Sequence, residues 1–114
     1  MHEFGIAQAA LQQVAAQAQQ AGATRVHRIV LRIGALSGVD PEALRFALEV
    51  AIPESSAAGA EFEIETVPAR ARCQQCEREF EPKTGLFFEC PHCQALGGTL
   101  TQGKEMHLVR LEIS

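Results

Sequence analysis

Cys73-Gln74-Gln75-Cys76 and Cys90-Pro91-His92-Cys93 are separated by 13 residues. Each C-x2-C closes a tight turn that brings two thiolates toward one point. Two such turns complete a tetrahedron of sulfurs, which suits Zn²⁺ and its lack of d-electron geometry preference. The same four sulfurs can hold iron in a rubredoxin-like site, but zinc stands well ahead. A thioredoxin-type redox site uses one pair on a βαβ unit, not two facing pairs. Four protein ligands leave no position for water or substrate, so the role read here is structural. Phe87 and Phe88, between the pairs, are expected to give apolar cover on a short strand.

Outward from the cysteines, residues 69–102 form a module of 34 residues inserted into a body made of residues 1–68 and 103–114. So short a segment builds little core alone, and metal binding contributes its folding energy. In the body, Ala7, Ala10, Leu11, Val14, Ala18 and Ala21 recur at helical spacing, predicting a helix over 6–21 with Gly22 as its stop. Residues 25–33 read as a strand, with His27, Ile29, Leu31 and Ile33 on one side and Val26, Arg28, Val30 and Arg32 on the other. Asp40 as N-cap and Pro41 as first residue begin a second helix over 41–51. Phe62, Ile64 and Thr66 alternate with Glu61, Glu63 and Glu65, a half-exposed strand whose glutamates read as a solvated face. A last strand falls near 105–113, with His107, Val109, Leu111 and Ile113 in one phase. The fold class is α+β: two helices packed on a small mixed or antiparallel sheet, with an inserted zinc-ribbon module.

Composition narrows the function. The 114 residues are 46% hydrophobic and 21% charged, an ordinary globular balance. Net charge is −4, which argues against a protein that coats a phosphate backbone. The acidity sits in residues 1–68, where four arginines face eight carboxylates; the cysteine module is neutral. There is no Trp or Tyr to stack bases or sugars. No apolar run reaches the roughly 18 residues of a membrane span, and Met1-His2-Glu3-Phe4 lacks the basic, then apolar, start of a signal peptide. The expected setting is the reducing cytoplasm, where paired cysteines hold metal rather than disulfides. No nucleic acid and no membrane are expected as partners.

The second residue carries a quieter signal. Methionine removal needs a small second residue, so Met1 is expected to stay and keep a free amine. That amine, the backbone nitrogen of His2 and its imidazole can close fused chelate rings on one cation. With the amide deprotonated, the result is a planar nitrogen set that suits Ni²⁺ or Cu²⁺ better than Zn²⁺. Copper binds such donors more tightly, so selectivity for nickel must come from metal supply or a partner. A further donor can come from Glu3, Asp40, another histidine or water. Glu3 reads equally as a first-turn carboxylate favoured by the helix dipole, and Asp40 mainly as the N-cap. His27 and His107 read as strand-face or partly buried histidines, and His92 as exposed on the second cysteine turn.

Met1-His2-Glu3 opening into a helix, Ile33-Gly34-x-Leu36-Ser37-x-Val39, the two cysteine pairs and Gly103-x-Glu105-Met106 follow one another along nearly the whole chain. In that combination the sequence resembles the HypA family (HypA/HybF) of nickel metallochaperones, which serve nickel–iron hydrogenase and, in some bacteria, urease maturation. The resemblance implies a non-enzymatic carrier whose cargo is Ni(II), bound through Met1 and His2 with Glu3 and Asp40 as candidate further donors. It implies structural Zn(II) on Cys73, Cys76, Cys90 and Cys93. The partners it implies are the GTPase HypB, a hydrogenase large subunit or its maturation complex, urease accessory proteins in the urease branch, and a second copy as a homodimer. One departure stands out. Some members carry a histidine adjacent to the cysteine pairs; here only His92 lies in that region, inside the second pair, and Gln94 follows Cys93.

Two other classes compete. A zinc-ribbon adaptor binding protein or nucleic acid would use the cysteine module, although its neutrality argues against nucleic acid. A hydrolase using the N-terminal metal would need a general acid, a base or a nucleophile motif near His2, and none is present.

Overall fold

The computed structural model describes residues 2–83 and 88–114; Met1 and Phe87 lie outside the described residues. In chain order the elements are α1 (His2–Gln20), β1 (Val26–Gly34), α2 (Pro41–Ala51, running into a 3-10 turn Ile52–Glu54), β2 (Glu61–Val67), β3 (Arg70–Arg72), β4 (Glu79–Phe80), β5 (Thr99–Gln102) and β6 (Met106–Ile113).

Helix α1 begins four residues before the apolar periodicity predicts. The reason is Glu3, which takes the place of an apolar residue in the buried stripe Glu3, Ala7, Leu11, Val14 and Ala18. Helix α2 spans the predicted 41–51, with the Asp40 side chain accepting from the Glu42 amide at 3.0 Å and Pro41 in the first turn. It buries Leu44, Ala47 and Leu48.

The first sheet has the order β2-β1-β6, with β1 parallel to β2 and antiparallel to β6. It is therefore mixed, with α2 in the crossover that a parallel pair needs. Ile29, Leu31, Ile33 and Ile64 join Leu11, Val14, Leu44 and Leu48 in one buried cluster against the two helices. The phase predicted for β6 breaks. A register shift opposite Val30 and Leu31 inserts an extra residue, so Leu108, Leu111 and Ile113 pack on the core. His107 and His27 are both exposed rather than partly buried.

The glutamate series of β2 is not a bare solvated face. Arg28 pairs with Glu63 and Glu61, and Arg32 with Glu65 at 3.0 Å. The parallel register places the arginines of β1 directly beside the glutamates of β2. Val30, in phase with the two arginines, is only 3% exposed.

A second, antiparallel sheet has the order β4-β3-β5. Its small core is Ala71, Cys73, Phe80 and Cys90, with Phe88 and Leu100 against it. Phe80 and Phe88 meet edge to face at 6.4 Å, so Phe88 gives the expected apolar cover, but it lies outside the strands rather than on a short one. Strands of two to four residues are too short to print a periodicity, and the sequence predicts none of the three.

The two sheets meet at a glycine contact. A Cβ on Gly34 would lie 2.1 Å from the Gly103 carbonyl oxygen and 2.6 Å from Glu105 Oε1. Gly103 sits at φ 126° against Ala69. Around this contact the Gly34 amide donates to the Glu105 carbonyl (2.8 Å), Ala35 to Val67 (2.8 Å) and Leu36 to Gly103 (2.7 Å). The Glu105 carboxylate accepts from the Gly103 amide at 2.9 Å. The two sequence motifs built on Gly34 and Gly103 thus close on each other.

Gly34→Ala is expected to destabilise the protein by more than about 2 kcal/mol, because the clash is with backbone and cannot relax by a rotamer change. Gly5→Ala, in α1 with nothing near its Cβ position, is expected to stabilise by about 0.5–1 kcal/mol. Urea unfolding followed by far-ultraviolet circular dichroism checks both.

Candidate metal centres

The four cysteines lie on two matching turns. In the first, the Glu77 amide donates to the Cys73 carbonyl (3.1 Å) and the Cys73 amide to the Arg78 carbonyl (3.0 Å). In the second, the Gln94 amide donates to Cys90 (2.8 Å) and the Cys90 amide to Ala95 (3.0 Å). Glu77 and Gln94 occupy the same left-handed position, at φ 64° and 61°. Amides of Gln75 and Cys76 point at the Cys73 sulfur (3.3 and 3.5 Å), and that of His92 at the Cys90 sulfur (3.4 Å). These are the amides that stabilise thiolates and their metal bonds.

All four sulfurs lie within 4.8 Å of one another. Cys73 and Cys93 stand 3.6 Å apart, as do Cys76 and Cys90. A tetrahedron with metal–sulfur bonds of about 2.3 Å has sulfurs about 3.8 Å apart, so the cluster has the size of a zinc site. The separations are far beyond a sulfur–sulfur bond of about 2.05 Å, and all four cysteines are free. The Cys76 and Gln75 amides, against the upward push of burial, hold the Cys73 thiol down to about 6 from 9.0. Its thiolate is then available to metal near neutral pH. Cys73 and Cys90 are buried, Cys76 half-buried and Cys93 exposed. His92 is exposed, and its backbone amide serves the cluster.

The amino-terminal candidates divide. His2 is the first described residue and is exposed at the start of α1. Its neighbour Glu3 is 6% exposed, and its Oε2 accepts from the Asp40 amide at 3.0 Å. The Asp40 side chain is engaged in capping α2. One residue thus joins the two helices: its amide holds Glu3 and its carboxylate holds Glu42. The start of α1, with His2 on it, is thereby fixed beside the start of α2. Met1, the remaining predicted donor, lies outside the described residues.

One residue that matters locally escapes a reading of the sequence, and a second is read only in part. Phe80 fills the small core beside the cysteines at 4% exposure; its signal is faint, a lone aromatic in a charged stretch. Glu3 was legible as a helix-start carboxylate but not as a buried one, because its partner is a backbone amide 37 residues away. Among the described residues, the four cysteines are the only such cluster with metal-ligand spacing, and no helix is long and apolar enough to cross a membrane.

With this geometry in hand, similarity to known proteins is informative. A family model described as "Hydrogenase/urease nickel incorporation, metallochaperone, hypA" matches residues 1–113. A hydrogenase maturation factor HypA from Picosynechococcus sp. is 42% identical over 113 residues, spanning 99% of each chain. One from Dechloromonas aromatica is also 42% identical, again over 99% of each. The solution structure of the Ni metallochaperone HypA from Helicobacter pylori superposes with a TM-score of 0.67 at 26% identity, covering 99% of this chain and 97% of that one.

Cys76→Ala is expected to lose a bound zinc that the wild-type protein retains, as read by native mass spectrometry. The apparent zinc affinity should fall most steeply below about pH 6, where Cys73 also takes up its proton. Glu3→Ala should lower the thermal midpoint by several degrees, because the Asp40 amide loses its acceptor. Glu42→Ala, which keeps that acceptor, should lower it less.

Proposed function

The chain belongs to the HypA family of hydrogenase/urease nickel-incorporation metallochaperones, and from that premise we propose that it carries Ni(II) at its amino terminus and hands it to the active site of a nickel enzyme. The observation that carries this reading is the exposed His2 on a helix start pinned by Glu3 and Asp40. The chelating donors are the Met1 amine, the His2 backbone nitrogen and the His2 imidazole. A backbone amide in the first helical turn has no intrahelical acceptor, so committing it to a metal costs the helix no hydrogen bond. The positive end of the α1 dipole opposes a cation there, while the Glu3 and Asp40 carboxylates offset it. That balance favours a moderate affinity, as a carrier that must release its cargo requires. Glu3 and Asp40 act mainly by positioning, since their hydrogen bonds already engage them.

Zn(II) on Cys73, Cys76, Cys90 and Cys93 is the structural metal of the ribbon, residues 69–102. Residues 1–68 and 103–114 make up the nickel-binding domain. The acceptor is nickel–iron hydrogenase, with urease second, and HypB is the partner GTPase. The protein acts in the cytoplasm and catalyses no reaction of its own.

Isothermal calorimetry tests this. One extra residue placed before Met1 is expected to abolish specific Ni²⁺ binding and leave zinc content unchanged, and His2→Ala to weaken nickel at least about tenfold, roughly 1.4 kcal/mol. Equal nickel affinity in extended and native forms would sink the reading.

A further inference from the structure

Helices α1 and α2 leave an apolar groove open to solvent beside the amino terminus. Phe4 and Phe46 are 45% and 60% exposed and meet edge to face at 6.3 Å. From Phe4 the groove runs along Gln8, Leu11 and Ala15 of α1 and past Val50 of α2, a space of about 600 Å³. Val50 is 46% exposed. Single exposed apolar residues are ordinary, but two touching phenylalanines continuous with a groove form a contiguous patch, which marks an interaction surface. Phe46 is available as an aromatic anchor, the residue type that concentrates binding energy.

The charge around the groove is one-sided. Helix α1 has no Lys or Arg. In α2 the single cation, Arg45, lies 3.8 Å from Glu42 and over the Phe62 ring at 6.0 Å. That leaves Glu49, one helical turn from Phe46, and Glu54, on the groove wall, as exposed carboxylates with no cation partner among the described residues. A second copy docking by two-fold symmetry would set these carboxylates against each other. An anionic membrane surface is repelled for the same reason.

We propose that this groove is the docking site for an amphipathic helix of a partner protein, one that inserts an apolar stripe between α1 and α2 and flanks it with Lys or Arg opposite Glu49 and Glu54. The apolar side chains along it, Phe4, Leu11 and Ala15 on α1 with Phe46 and Val50 one turn apart on α2, suit helix-in-groove recognition, read by anchors at i, i+3, i+4 and i+7. Since Phe4 is two residues from His2, a helix seated here holds its protein against the exposed start of α1. The docking surface stands on its own geometry, whatever metal His2 carries.

The test uses the full-length zinc-loaded protein and two labelled synthetic helices with the same Leu/Phe stripe, one flanked by Lys and Arg, the other by Glu. Fluorescence anisotropy should show saturable binding of the basic helix and little of the acidic one. Phe46→Ser, at an exposed position, should weaken the basic helix about tenfold or more. The double variant Glu49→Lys/Glu54→Lys should reverse the preference between the two helices. Far-ultraviolet circular dichroism reports that the helices of each variant are folded, and nickel calorimetry separates loss of docking from loss of cargo. Equal affinity for both helices, or no saturable binding of the basic one, overturns the proposal. So does sedimentation showing a wild-type dimer that Phe46→Ser dissociates, since a second copy would then occupy the groove.

Discussion

The backbone of Gly34 lies against the backbone of Gly103, and the placement of everything on either side follows from that approach. A side chain on Gly34 would run into the Gly103 carbonyl, and one on Gly103 would run into Ala69. Because neither has one, three amides from the 34–36 turn and its neighbours reach carbonyls on the segments that enter and leave the second sheet. The same turn continues through Ser37, whose hydroxyl accepts from the Val39 amide, to Asp40. A single short stretch therefore connects the cysteine-bearing sheet, the end of β1 and the cap of α2.

At the far end of that stretch, the Asp40 amide fixes Glu3. The arrangement explains why an acidic residue can occupy the first position of a buried helical stripe. Burying a carboxylate is costly unless it is hydrogen-bonded, and here a backbone amide without a helical partner provides the bond. The result is a helix start held from beneath while His2 remains exposed above. Rigid support and an open donor are what a site needs if a metal is to be both bound and handed over.

Much of this was legible in the sequence, and the boundary of legibility has physical causes. The α2 helix was readable to the residue because capping is local chemistry: Asp40 and Pro41 specify the start within two positions. The cysteine cluster was readable because two C-x2-C turns admit few other geometries. The start of α1 was not, since the burial of Glu3 depends on a residue 37 positions away. The phase of β6 failed at a bulge, which alternation cannot announce. The β2 glutamates looked solvated because their arginine partners lie on β1, and only the parallel register brings them together. The open groove between Phe4 and Val50 was equally hidden, because helical periodicity identifies the face that is buried and says little about the one left exposed.

In the proposed function the two metals take chemically different donors: sulfur for the structural ion, nitrogen and oxygen for the cargo. Nickel-edge X-ray absorption of the protein loaded with both metals tests that separation directly. The spectrum is expected to show only nitrogen and oxygen neighbours, with the outer scattering of a coordinated imidazole. A sulfur shell around nickel would put the cargo on the cysteines and contradict the assignment of His2 as its site.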